Sequence, residues 1–266
     1  MKISKYLAVF KIAWEQGLVY RLNFTLWRVR SVLQLLLAYF IWWTVFQSQN
    51  QIFGYTGKSI ITYILVAALI RAVVLSSRVM DVSNQINNGS VVNFLIKPLG
   101  FIKYYLAQDV ADKLLNISFV IVEISLILLL LRPDIILQTN QVTLGLFLLA
   151  SVLGVILYFA IAFIIGISTF WVEASWGPMF LMTIFLEGFA GGLFPIDILP
   201  RVIYNGLMLT PFPYLMYFPA KIYIGTMNES EIMVGFLVLV GWTVGMFIVA
   251  NLILRAGLKH YSAVGN

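Results

Sequence analysis

The sequence predicts an all-α integral membrane protein: six transmembrane helices, an N-terminal amphipathic helix at the membrane interface, and an outer re-entrant hairpin between spans five and six. Three observations predict it. Of 266 residues, 61% are hydrophobic and only 11% charged, with mean hydropathy +0.96, whereas a soluble domain carries about 25% charged residues. Charges this sparse cannot cover a water-facing surface. The apolar residues also gather into runs near the roughly 20 residues that cross a bilayer. Finally, residues 195–231 are apolar yet broken by five prolines, which suits neither a span nor a solvated tether.

Taken in order, residues 1–21 space Ile3, Leu7, Phe10, Trp14 and Leu18 helically, with Lys5, Lys11 and Glu15 on another face. That is the pattern of an interfacial helix, and it lacks the long apolar core and small-residue cleavage site of a signal peptide. Six spans follow: Val29–Gln47, Ser59–Ser77, Leu114–Leu131, Leu144–Val172, Gly177–Phe194 and Ile232–Leu254. The fourth is long enough to tilt. The whole chain, 1–266, reads as one transmembrane domain.

Lys and Arg set the orientation. Twelve lie in the N-terminal segment, the second loop and the tail, four lie in the loops on the other side, and Arg71 lies within a span. The positive-inside rule then puts both termini in the cytoplasm. It also accounts for the net charge of +6 without a nucleic-acid partner. With no cysteine and one histidine, His260, in the tail, disulfides, thiolate metal sites and Cys nucleophiles are excluded.

Two long connections stand out, since long loops in compact proteins usually carry function. In the outer one, 195–231, Pro195, Pro200, Pro211, Pro213 and Pro219 cut two apolar pieces, Arg201–Leu209 and Tyr214–Ile224, each too short to span. Tyrosines such as Tyr214 suit the headgroup level. The stretch FLEGFAGGLFPIDILP before it ends span five at Gly191-Gly192 and Phe194-Pro195, at the mouth of whatever the bundle encloses. In the inner connection, 78–113, Asn87-Asn88-Gly89-Ser90 is a turn signal, and Val91, Phe94 and Leu95 make an apolar side before Pro98. A solvated linker has no need of them; a patch that docks on a cytoplasmic partner does.

Arg71, Glu123 and Glu187 fall within spans. Each costs about 2.5–3.5 kcal/mol at a helix centre, so each is expected to face the bundle interior with a partner. Arg71 can pair with Glu123 or Glu187. Glu187, with Gly191 and Gly192 beyond it, equally suits a pathway or gate. The nearest thing to a phosphate-binding loop, Gly54 to Ser59, has Ile52 where a Walker A requires glycine, and reads as an ordinary polar loop.

These stretches together resemble the permease subunits of type-2 ABC exporters, in the short six-span bacterial subgroup. INNGSVVNFLIKPL (86–99) is similar to that subgroup's coupling loop. FAGGLFPIDILPRVI (189–203) with TPFPYLMYFPAKI (210–222) is similar to its fifth span and hairpin. The resemblance implies a bacterial inner-membrane location and a pathway formed with a second permease, either a copy or a paralogue. It implies a separate cytoplasmic ABC ATPase dimer that binds ATP and Mg, with no cofactor in this chain itself. It implies coupling residues Asp81, Ile86, Gly89, Val91, Phe94, Leu95, Lys97 and Pro98. Pathway or gate residues would be Glu187, Gly191, Gly192, Phe194, Pro195, Arg71 and Glu123, with membrane lipids around them. The cargo would be lipophilic, lipid-like or glycan-linked. Two other classes compete: an intramembrane lipid-modifying enzyme, and a stand-alone secondary transporter working on Glu187 and Glu123.

Overall fold

The computed structural model describes residues 2–19, 21–78, 80–91, 100–172 and 176–260. Helix α1 (Lys2–Val19) leads into α2 (Arg21–Val45). Two-residue strands, β1 (Gln51–Ile52) and β2 (Tyr55–Thr56), pair antiparallel across Phe53-Gly54, both at positive φ. Then come α3 (Gly57–Val74), α4 (Met80–Asn87), α5 (Phe101–Leu131), α6 (Gln141–Ile167) and α7 (Trp176–Phe189). After α7 lie α8 (Arg201–Met208), α9 (Tyr217–Ile224) and α10 (Glu229–His260).

Among the described residues five helices are long and apolar enough to cross a membrane, over Phe24–Val45, Gly57–Val74, Phe101–Leu131, Gln141–Phe170 and Glu229–Lys259. The expected fifth span, Gly177–Phe194, is a helix of only 14 residues, about 21 Å at 1.5 Å per residue. It stops where Gly191 takes φ +82, a conformation a side chain resists. The third span differs the other way. Its helix begins at Phe101, thirteen residues before the expected Leu114, because the charges that looked like loop are paired along it: Lys113 sits 3.2 Å from Asp109, one turn earlier.

Helices α3 and α6 form the core, with 56% and 50% of their apolar windows buried against 22% or less in the other three. Thr56 and Ser59 close a capping box that starts α3: each side chain accepts from the other's backbone N–H. The far end of α3 is closed by buried Lys113, which donates to the carbonyls of Val74 and Ser76. A cation at a helix C-terminus satisfies orphan carbonyls and the dipole together. Helix α1 packs along α5 at this same end. Its buried face is Val9 and Ala13, while Leu7 and Leu18, expected on the apolar face, are exposed.

At the opposite end, the proline-broken stretch forms the two short helices expected of it. Helix α9 is almost wholly buried between α3 and α6. Pro219 is tolerated there because it falls in the first turn, where its missing N–H has no partner to lose. The break after α7 exposes backbone carbonyls in an apolar setting, and three elements supply donors. The Tyr217 N–H donates to Ala190 at 2.9 Å, the Tyr63 hydroxyl to Gly191 at 2.6 Å, and the Trp42 indole to Leu193 at 3.2 Å.

A Cβ at Gly191 would stand 2.7 Å from both the Tyr217 Cβ and the Tyr63 hydroxyl, on a positive-φ backbone. Gly191→Ala is therefore expected to destabilise by about 2 kcal/mol or more through strain and overpacking. Gly188→Ala, with open space around it, should be neutral or slightly stabilising. Thermal melts of the two in one detergent check this; equal melting temperatures would contradict it.

Candidate functional site

Beneath the Gly191 turn, α2, α3, α5 and α7 enclose a cavity of about 520 Å³. Its apolar wall includes Leu35, Ala38, Ile64 and Ala68, and six charged residues face it: Arg28, Arg30, Arg71, Asp112, Glu123 and Glu187. In an apolar bundle each such group requires a partner. Arg71, from the inner part of α3, pairs with Glu187 on α7. Arg28, on the first turns of α2, makes a two-pronged pair with Glu123 on α5: Nε donates to Oε1 at 2.7 Å and Nη2 to Oε2. The Arg28 Nη1 also donates to the Asn116 side chain at 3.2 Å. Asp112 is held from behind the wall by Arg78 at 3.4 Å.

The geometry decides between the two partners open to Arg71. Glu187 takes it, and Glu123 takes Arg28, a residue that the charge count placed in the N-terminal segment. The signal for Arg28 was present: it lies four residues into an apolar run beginning at Phe24, where an arginine needs a carboxylate. Gly192 also lines the cavity, and a Cβ there would sit 3.4 Å from the Arg71 guanidinium. Gly191, Phe194 and Pro195 build the turn above, with Gly191 and Pro195 buried.

A second polar knot fastens that turn to the outer helices. Lys221, buried on α9, donates to the Tyr55 hydroxyl at 2.9 Å and to Asp197 at 2.9 Å, and Tyr55 donates to Asp197 at 2.9 Å. Burial, with Asp197 alongside, pushes the Tyr55 hydroxyl well above its usual range, so it stays protonated as the donor. Pro200 precedes α8, Pro211 and Pro213 shape the turn before α9, and the Tyr214 hydroxyl donates to the Met208 carbonyl at 3.0 Å. The lone Asp197 of the sequence is thus the acceptor that ties the strand pair to the hairpin.

The inner residues are arranged differently. Gly89 takes φ +71 in the expected turn. Ile86 and Val91, 5% and 0% exposed, point into the bundle beside Val82, and Thr169 donates to Ser83 at 2.8 Å. Burial raises the Asp81 carboxyl above its usual range, with Arg78 pulling the other way. These residues anchor the segment and leave Asn84, Asn87 and Asn88 outward. Phe94, Leu95, Lys97 and Pro98 lie outside the described residues. Among the described residues no cluster of His, Cys, Asp and Glu could hold a metal ion.

The family model described as "ABC-2 family transporter protein" matches residues 32–265. No curated protein and no solved structure shows a match to the chain. The match covers most of the chain: the protein belongs to the ABC-2 transporter family and is a membrane-embedded permease component.

The pairing generates a test. Arg71 and Glu187 side chains are 21% and 25% exposed, so Glu187→Gln should cost about 1–3 kcal/mol, less than the roughly 3–5 kcal/mol of a fully buried pair. Arg71→Gln should restore most of that loss but none of the loss in Glu123→Gln, which Arg28→Gln should rescue instead. Melting temperatures of the singles and the four doubles measure this; rescue of Glu123→Gln by Arg71→Gln would contradict the pairing.

Proposed function

We propose that this chain is the permease subunit of an ATP-driven ABC exporter, moving a lipophilic, lipid-like or glycan-linked substrate outward while a separate cytoplasmic ABC ATPase dimer binds ATP and Mg. One observation carries the reading: the family match over residues 32–265 takes in most of α2 and all of the four other long apolar helices. The cavity gives that reading a place to work. Each of its three carboxylates is paired with an arginine, so an apolar molecule can enter without leaving a bare carboxylate behind. Carboxylates held in ion pairs also suit a non-catalytic role better than an intramembrane enzyme.

In this proposal α7 with its turn acts as the fifth of six crossings, a shortened one, and α8 and α9 form a re-entrant cap at the outer mouth. Backbone irregularity at membrane depth is tolerated where it is buried in protein, and the donors from Tyr63, Trp42 and Tyr217 supply that condition. A second permease, identical or paralogous, closes the open side of the cavity. The inner region 78–113 couples to the ATPase: Ile86 and Val91 fix the segment from inside the bundle, and Phe94, Leu95, Lys97 and Pro98 make the contact. Both termini lie in the cytoplasm of a bacterial inner-membrane protein, and α1 rests in the interface.

Affinity purification of the tagged chain from its own membranes is expected to bring down a Walker A protein, with ATP hydrolysis in the complex and none in the chain alone. Purification without an ATPase partner would contradict the proposal. Orientation is checked in the same cells with cysteines at exposed Thr139 and Asn88, which leave the caps at Asn140 and Asn228 untouched. Thr139→Cys should react with an impermeant thiol reagent and Asn88→Cys should not; the reverse pattern would invert the topology.

A further inference from the structure

Pairing the charges that face the cavity leaves one over. The carboxylates are Asp112, Glu123 and Glu187, and each already has an arginine: Arg78, Arg28 and Arg71. Arg30 lines the same cavity and has no carboxylate partner among the described residues. Its guanidinium lies over the Trp27 ring, 5.1 Å from the centroid, a contact that orients a cation without neutralising it. It sits six residues into the apolar stretch Phe24–Val45, where an uncompensated arginine is costly.

The wall around Arg30 is graded. Trp27, Arg30, Ser31, Gln34, Leu35 and Ala38 all face the cavity from α2, at the three- and four-residue spacings of one helical face. Polar groups occupy the end near Arg30. About 12 Å further along the helix the face is apolar and meets Ile64 and Ala68 of α3. The Gln34 amide, one turn beyond Arg30, has no hydrogen-bond partner among the described residues. Two spare donors therefore sit side by side at the head of an apolar slot, with a spare charge of one.

We propose that the cavity binds an amphiphile with a singly charged anionic head, the head held by Arg30 and Gln34 and the tail lying along Leu35, Ala38, Ile64 and Ala68. A guanidinium suits such a head because its fork of donors matches a phosphate or carboxylate. The spare charge selects a monoanion: a neutral head leaves Arg30 unpaired, and a second negative charge meets Glu123 and Glu187. This deepens the permease reading by naming a substrate class, and it rests on the cavity of that reading. The same chemistry describes a resident bilayer lipid or a transported one.

The test uses the full chain in a neutral detergent, with Trp27, the one tryptophan lining the cavity among the described residues, as fluorescent reporter, its signal isolated from the other six tryptophans by difference against Trp27→Phe. Dioctanoyl phosphatidylglycerol should bind about ten- to hundredfold more tightly than dioctanoylglycerol, the span of a charge-assisted hydrogen bond. Arg30→Gln should remove that preference while leaving the neutral lipid unchanged, and Arg30→Lys should keep part of it. Arg30 is exposed in the monomer, so Arg30→Gln should melt like the parent. Equal binding of the two lipids, or a preference that survives Arg30→Gln, overturns the proposal. In proteoliposomes of the assembled transporter, ATP-driven movement of labelled phosphatidylglycerol that falls with Arg30→Gln identifies cargo, whereas preference without movement identifies a resident lipid. Absence of an ATPase partner would sink the permease reading alone and leave the anion preference to be judged on binding.

Discussion

An interrupted backbone inside an apolar bundle governs this structure. Where α7 stops, the carbonyls of Ala190, Gly191 and Leu193 have lost their helical partners, and in such surroundings an unmatched carbonyl costs several kcal/mol. The Tyr217 N–H, the Tyr63 hydroxyl and the Trp42 indole answer them from α9, α3 and α2. Once those donors are committed, three elements distant in sequence must meet at one point. Gly191 is forced there by φ +82 and by two neighbours 2.7 Å from where its Cβ would stand. The cavity, the ion pair directly below and the cap above all follow from that junction.

The ion pairs obey the same constraint in another form. Arg71–Glu187 joins α3 to the short helix that ends at the turn, and Arg28–Glu123 joins α2 to α5. Each pair crosses the cavity wall between elements that are joined by few other polar contacts, Arg28 to Asn116 and Tyr63 to Gly191 among them. Apolar packing is non-directional, whereas a two-pronged guanidinium–carboxylate contact fixes rotation and depth. The outer knot of Lys221, Tyr55 and Asp197 does this for the cap. Charge is sparse in this protein, and where it occurs in the bundle it sets register.

Much of this was legible in the sequence. Composition and apolar runs identified the helices, and the proline spacing placed the two short helices of 195–231, the first to within one residue and the second starting three residues later than expected. Glu187 and the glycine pair marked the cavity and the turn above it, because a carboxylate and a backbone break are both out of place in a membrane helix. Three things were not legible. The start of α5 was hidden because Asp109, Asp112 and Lys113 look like solvated loop until their partners are known. Arg28 was counted with the N-terminal segment because the count of basic residues ignores how far an apolar run extends around each one. The partner of Asp197 was invisible, since Lys221 lies 24 residues away and Tyr55 lies 142 away. Inward burial of Ile86 and Val91 was missed for a related reason: an apolar residue in a loop looks the same whether it faces a partner or its own core.

If the ion-paired cavity is the pathway proposed for this permease, water reaches its lining while the outer flanks of the same helices face apolar surroundings. The chain has no cysteine, so single cysteines report without background. Ala68→Cys and Thr183→Cys line the cavity, whereas Leu181→Cys and Ile184→Cys replace exposed apolar residues on α7 outside it. Labelling each in native membranes with a small water-soluble thiol reagent is the most direct measurement. The account predicts reaction at positions 68 and 183 and none at 181 and 184; labelling at 181 and 184 with 68 and 183 protected would contradict it.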